Sequence, residues 1–154
     1  MFSVGDIICY PLHGVCVIIG IERQSVLGKT ADYYSLSFPG GRMTALVPVD
    51  TAESVGLRPL ISAEECTNVI DYMRQQGERG SDNWNQRYRD NLDKLRSGNI
   101  YSVADVVKCL RLRDTEKGLS AGERKMLLMA KGIIVSELST VLEKESSVIE
   151  AQLG

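Results

Sequence analysis

The stretch Arg58-Pro59-Leu60-Ile61-Ser62-Ala63-Glu64-Glu65 is where the chain changes its hydrophobic period, and that change decides the fold. On its N-terminal side the apolar residues come in short runs: Ile7-Ile8-Cys9-Tyr10, Val15 to Ile21, Tyr33-Tyr34-Ser35-Leu36-Ser37-Phe38 and Met43 to Val49. Such runs, bounded by turn residues, read as strands. Pro11-Leu12-His13-Gly14, Leu27-Gly28-Lys29-Thr30 and Pro39-Gly40-Gly41-Arg42 supply the turns, because glycine takes positive φ without strain and proline cannot donate to a ladder. No helix in this span is long enough for a parallel crossover. The strands are therefore expected to be antiparallel neighbours in a small β-barrel with at least one open edge.

On the C-terminal side the period lengthens to about 3.6 residues. A Ser-x-x-acid signature recurs at Ser62/Glu65, Ser102/Asp105, Ser120/Glu123 and Ser147/Glu150, the pattern of a serine that caps a helix start. Helices are predicted over Ala63 to Gln76, Asn83 to Arg96, Val103 to Lys117 and Ala121 to Leu142, with a short one from Val148 to Gln152. Gly77, Gly98 and Gly118 fall just past three of them, where a left-handed residue is wanted. Each helix carries one apolar stripe, as in a bundle: Val69, Ile70 and Met73; Tyr88, Leu92 and Leu95; Val103, Val106, Val107 and Leu110; Leu127, Ala130, Ile134, Leu138 and Val141. The predicted fold class is α+β and multidomain, with an antiparallel β-barrel over residues 1–58 and an all-α bundle over residues 62–154.

At 154 residues, 44% apolar and 25% charged, the chain suits one or two small domains with their own cores. Its apolar runs fall short of the roughly 20 residues that a membrane helix requires, and no secretory signal opens it, so a cytoplasmic protein is expected. Cys9, Cys16, Cys66 and Cys109 lack metal-ligand spacing, which points to reduced thiols rather than zinc or disulfides. The overall charge of −2 is unevenly spread. Residues 83–125 hold 10 basic and 6 acidic side chains, whereas residues 1–82 hold 6 and 10. The middle segment therefore carries a modest electrostatic footprint that suits phosphates.

Within that segment stands Trp84, the only tryptophan. A ring beside arginines on helices is what a protein needs to hold phosphates and press against a base pair. It also extends the stripe of Tyr88 and Leu92 backwards, so core packing and an overhang at the bundle's rim both fit its position. Arg87, Arg89, Lys94 and Arg96 fit either a solvated surface or a phosphate-binding one. Arg124 and Lys125 are more pointed, because they occupy the first turn of the helix capped by Ser120, where free amides and the macrodipole favour an anion. Phosphate-loop, dinucleotide and nucleophile-elbow motifs are missing. His13 near Cys9 or Cys16 lacks an orienting third group, so no enzyme is expected.

Phe2-x-Val4-Gly5-Asp6, Tyr10-Pro11-x-His13-Gly14-Val15, Val47-Pro48-Val49, Gly56-Leu57-Arg58, Asn83-Trp84-x-x-Arg87-Tyr88, Leu95-x-Ser97-Gly98, Val103-Ala104-x-Val106-Val107 and Gly118-Leu119-Ser120-x-x-Glu123 follow one another in order. In these motifs the chain resembles the CarD/CdnL family of bacterial transcription regulators over nearly its whole length. Its first segment is also similar to a module of the transcription-repair coupling factor. The resemblance implies a Tudor-like (SH3-like) barrel that docks on the β subunit of RNA polymerase. It further implies a helical domain that touches promoter DNA at the upstream edge of the melted region and stabilises the open complex, without cofactor, metal or small-molecule substrate. By the same resemblance Trp84 is the minor-groove wedge, Arg87, Arg89, Arg124 and Lys125 hold the DNA backbone, and Arg23, Gln24, Thr44 and Leu46 contact polymerase. Gln24 and Leu46 stand where some relatives are basic, which implies a less ionic dock, and Gln86 departs likewise beside the tryptophan. The alternative is a protein-interaction adaptor that binds polymerase or a repair factor through the barrel and leaves DNA untouched.

Overall fold

Five strands form one antiparallel sheet in the computed structural model, which describes residues 1–39 and 43–154. They are β1 (Ile7–Tyr10), β2 (Gly14–Val26), β3 (Lys29–Ser37), β4 (Thr44–Pro48) and β5 (Arg58–Pro59), in the spatial order β4-β3-β2-β1-β5. A 3-10 turn at Val49–Thr51 follows β4. No ladder joins β4 to β5 among the described residues, so the sheet is open where a barrel was expected. The reason is that β5 contributes only two residues, both spent on pairing with Ile8 and Cys9. The expected turn at Pro39-Gly40-Gly41-Arg42 lies largely outside the described residues.

The β2–β3 hairpin is much longer than its apolar pattern suggests. Past a bulge at Ile18/Gly20 the ladder runs on to Val26↔Lys29, and residues 21–30 are all exposed. Apolar alternation marks a strand only where one face meets a core, so this arm is silent in the sequence although its backbone is fully paired. Leu27 and Gly28, at φ 52° and 79°, close it as a two-residue turn. The inner face of the sheet buries Ile8, Cys16, Ile18, Tyr34, Leu36 and Val47 under Phe38, Ala52 and Leu57.

Helices α1 (Ala63–Arg74), α2 (Trp84–Arg96), α3 (Ile100–Glu116), α4 (Ala121–Leu142) and α5 (Ser146–Leu153) follow. Ser62 and Ser120 cap α1 and α4 through their hydroxyls, but Ser102 and Ser147 cap nothing. The true cap of α3 is Asn99, whose carbonyl accepts from the Tyr101 and Ser102 amides, so the helix begins three residues before the expected Val103. Gly98 and Gly118 take positive φ as expected. Gly77 does not, and is required instead because a Cβ there would meet Lys108 Cβ at 2.5 Å. The helical core gathers Val69, Met73, Leu95, Val107, Ile134 and Leu138.

Sheet and helices are joined by one buried carboxylate. Glu137 of α4 is fully buried and accepts from both terminal nitrogens of Arg58 (2.8 and 2.7 Å), from the Ile61 amide (2.9 Å) and from the Cys9 thiol (3.2 Å). Arg58 Nε also donates to the Gly98 carbonyl at 2.6 Å, tying β5 to the α2–α3 turn. Burial by itself raises the Glu137 carboxyl, but the Arg58 guanidinium and the other donors outweigh it and hold the group below its ordinary value.

Candidate nucleic-acid interface

Asn83 starts α2 by accepting from the Gln86 amide at 3.0 Å, which leaves Trp84 as the first helical residue with its side chain at the bundle's rim. The ring is 41% exposed and stands outside the helical core cluster. It is nevertheless held firmly. One face stacks on Tyr88, with centroids 4.9 Å apart and planes 18° from parallel, and the indole N–H donates to Ser120 Oγ at 3.1 Å. That same Ser120 oxygen accepts the Glu123 amide at 3.2 Å, so the cap of α4 and the anchor of the tryptophan are one atom. Gly122 lies alongside both rings, where an added Cβ would touch Tyr88 and Trp84 at 3.7 and 3.8 Å. Two anchors and an open second face make a preorganised apolar wedge.

Arg87 is placed otherwise than expected. It is 4% exposed and forms a bidentate pair with Glu123, Nε to Oε2 at 2.8 Å and the second nitrogen to Oε1 at 3.1 Å, while its remaining nitrogen donates to the Ser81 carbonyl at 2.8 Å. A guanidinium so enclosed has no face left for a phosphate. The Glu123 hydrogen bonds and charge outweigh burial and keep Arg87 charged, and its role is to clamp α2 to the start of α4 beneath the tryptophan. Glu123, expected to complete a capping box, turns its carboxylate to this clamp instead. Asn91, one turn further along α2, shares this buried side, at 3% exposure.

Arg124 and Lys125 are exposed in the first turns of α4, close in chain to Ser120 and Gly122, and no carboxylate pairs with either among the described residues. Gly122, which lies alongside the Trp84 ring, is three residues before Lys125 and so about 60° from it around α4, whereas Arg124 lies about 160° away. Arg89 is also exposed, but at 100° per residue it lies about 140° around α2 from Trp84, on the helix's outer side.

The four residues expected to meet polymerase are split by strand alternation. Leu46 pairs with Ser35 and Thr44 with Ser37 on the edge strand β4, while Gln24 pairs with Ala31 on the arm. Ala31, Ser35 and Ser37 are an even number of residues apart on β3, so Thr44, Leu46 and Gln24 share the outer face. Arg23, opposite Asp32, belongs to the other face and is engaged there in an exposed ion pair at 3.1 Å.

His13 is exposed and packs its ring against Tyr10 and Phe38, at 5.3 and 5.5 Å between centroids. Burial pushes the Cys16 thiol up to about 12, and burial with the Glu137 charge raises Cys9 further, so neither sulfur is a thiolate at neutral pH. No described helix is long and apolar enough to cross a membrane.

Two family models cover the chain in succession: the CarD-like/TRCF RID domain over residues 2–61 and the CarD C-terminal domain over residues 68–154. The chain belongs to the CarD/CdnL family. Its similarity extends to a Bacillus subtilis (strain 168) protein named "Putative transcription factor YdeB", at 35% identity over 144 residues and 92% of each chain. In this CarD-family chain the sheet, with the edge strand β4, lies in the first matched region. Trp84, Arg124 and Lys125 lie in the second.

Proposed function

We propose that this CarD-family protein is a transcription factor that attaches to the β subunit of RNA polymerase through its sheet and stabilises the open promoter complex with its helices. The observation that carries this reading is the Trp84 ring, 41% exposed and anchored by Tyr88 and by Ser120, the cap of the helix whose first turns carry the exposed cations Arg124 and Lys125. A flat ring held at a rim inserts at a base step where the duplex is already parting, and cations beside it hold phosphates without reading sequence. The first turn of α4 adds its amide dipoles to the same phosphate. Arg89 reaches a neighbouring phosphate from the outer side of α2, and Arg87 serves by keeping the corner rigid.

The division of labour follows residues 1–58, a Tudor-like module for polymerase, and residues 62–154, the DNA-binding part. Thr44, Leu46 and Gln24 present a mainly uncharged strip beside an unpaired strand edge, which suits docking by strand addition. Arg23 contributes from the opposite face of the arm. Attachment to polymerase raises the local concentration of the DNA-binding corner, so weak affinity for free DNA suffices. A preference of about 1.4 kcal/mol for the unwound junction shifts its equilibrium about tenfold. A cytoplasmic location accords with such a partner. Capture of purified polymerase tests the dock: Leu46→Glu, an exposed substitution, is expected to weaken capture about tenfold at unchanged melting temperature. Undiminished capture removes β4 from the interface.

A further inference from the structure

The connection between α1 and α2, together with α2 and α3, encloses a cleft of about 330 Å³, large enough for a small metabolite. Two of its walls are buried polar side chains whose bonding capacity the protein only partly fills. Lys108 is 5% exposed, and its ammonium sits 3.8 Å above the Tyr72 ring with no ion-pair partner among the described residues. Asn91 is 3% exposed. Its amide nitrogen lies 3.8 Å from the Cys109 sulfur, and no described donor meets its carbonyl oxygen. Every fully buried side-chain nitrogen and oxygen among the described residues is hydrogen-bonded, so these two groups retain access to solvent, and the cleft they share provides it.

The cleft carries both signs of charge. Lys94 joins Lys108 on the positive side, while Glu78, Asp90 and Asp105 supply carboxylates, Asp105 accepting from Tyr72 and Asp90 from Gln86. A simple anion or cation would meet repulsion somewhere along this wall; a molecule with separated opposite charges answers both. The wall is tightly built at one point, where the Gly77 backbone packs so near the Lys108 Cβ and carbonyl that only glycine fits. We propose that this cleft binds a small zwitterion of the amino-acid type, its carboxylate on Lys108 and Lys94 and its ammonium on Asp90 and the Asn91 carbonyl. Ser81 and Arg87 also line the cleft, and Arg87 clamps α2 beneath Trp84, so occupancy bears on the wedge. The site stands independently of the promoter reading.

Titration of the full chain with the free L-amino acids and glycine betaine, with acetate and methylamine as singly charged controls, tests this. Emission of Trp84, the only tryptophan, and the melting temperature are read together. At least one zwitterion is expected to give a saturable change with Kd of about 1 mM or tighter, and both controls to bind about tenfold more weakly. Lys108→Met and the exposed Asp90→Asn, which leaves the core untouched, are each expected to weaken binding about tenfold. The proposal is overturned if no zwitterion gives a saturable response, if acetate or methylamine binds as tightly as the best of them, or if Asp90→Asn binds like the wild type.

Discussion

Replacing Glu137 by glutamine removes one charge and almost no volume, so it isolates the electrostatic link between sheet and helices. The carboxylate is fully buried and accepts four hydrogen bonds, two of them from Arg58. Glutamine offers one acceptor oxygen and an NH2 group that faces the guanidinium donors, so at least one charged bond is lost and Arg58 loses its counter-ion. Breaking a buried pair in this way costs about 3–5 kcal/mol. The Arg58 side chain keeps 24% exposure, which lets water answer part of its charge and puts the expected loss near the lower end, about 3 kcal/mol. At about 2–4 °C per kcal/mol for a chain of this size, the melting temperature falls by about 10 °C. Calorimetry at neutral pH measures it, and a cycle with Arg58→Met assigns about 2 kcal/mol of it to the pair. The pH dependence has a definite sign. The folded carboxyl lies below its ordinary 4.5, so its stabilisation is present above that value and is lost as pH falls through the lower folded one. The gap between wild type and Glu137→Gln therefore narrows in acid. A variant melting within about 2 °C of wild type, or a gap that widens in acid, refutes this account of the junction.

Arg87→Met strands the buried Glu123 carboxylate and is expected to cost about 3 kcal/mol and to shift Trp84 emission to the red as α2 loosens from α4, whereas the exposed Arg89→Ala changes stability by less than about 0.5 kcal/mol. Equal denaturation midpoints for the two would remove the clamp. Arg124→Ala leaves folding intact and lowers the salt dependence of polymerase-tethered DNA binding by about one phosphate, equally on unrelated promoters. A loss confined to some sequences would speak for base readout instead.

The helices were legible because each buries one stripe, and a stripe repeats at the helical period; Val69, Met73, Leu95 and Ile134 all lie where that pattern puts them. The β2–β3 arm was not, because residues 21–30 are exposed and their side chains meet no core that would impose alternation. Open and closed sheets share the same strand patterns, so closure was equally hidden. At the candidate site, residue type and helix position single out Trp84, Arg124 and Lys125, and all three are exposed. Arg87 could not be separated from them, since a buried arginine differs from a surface one only by a partner, here Glu123, that lies 36 residues away in the chain. The same holds for Glu137, whose partners Arg58, Ile61 and Cys9 converge on it from segments 76 to 128 residues distant.

The central claim is that one anchored, half-open indole ring keeps the promoter strands apart. The lifetime of polymerase–promoter open complexes, measured after challenge with a competitor that traps free polymerase, tests it directly when wild type and Trp84→Ala are compared at equal occupancy and equal melting temperature. About tenfold faster collapse with the alanine variant is expected, matching a differential of about 1.4 kcal/mol. Equal lifetimes would contradict the claim and leave the helices as a scaffold for attachment to polymerase alone.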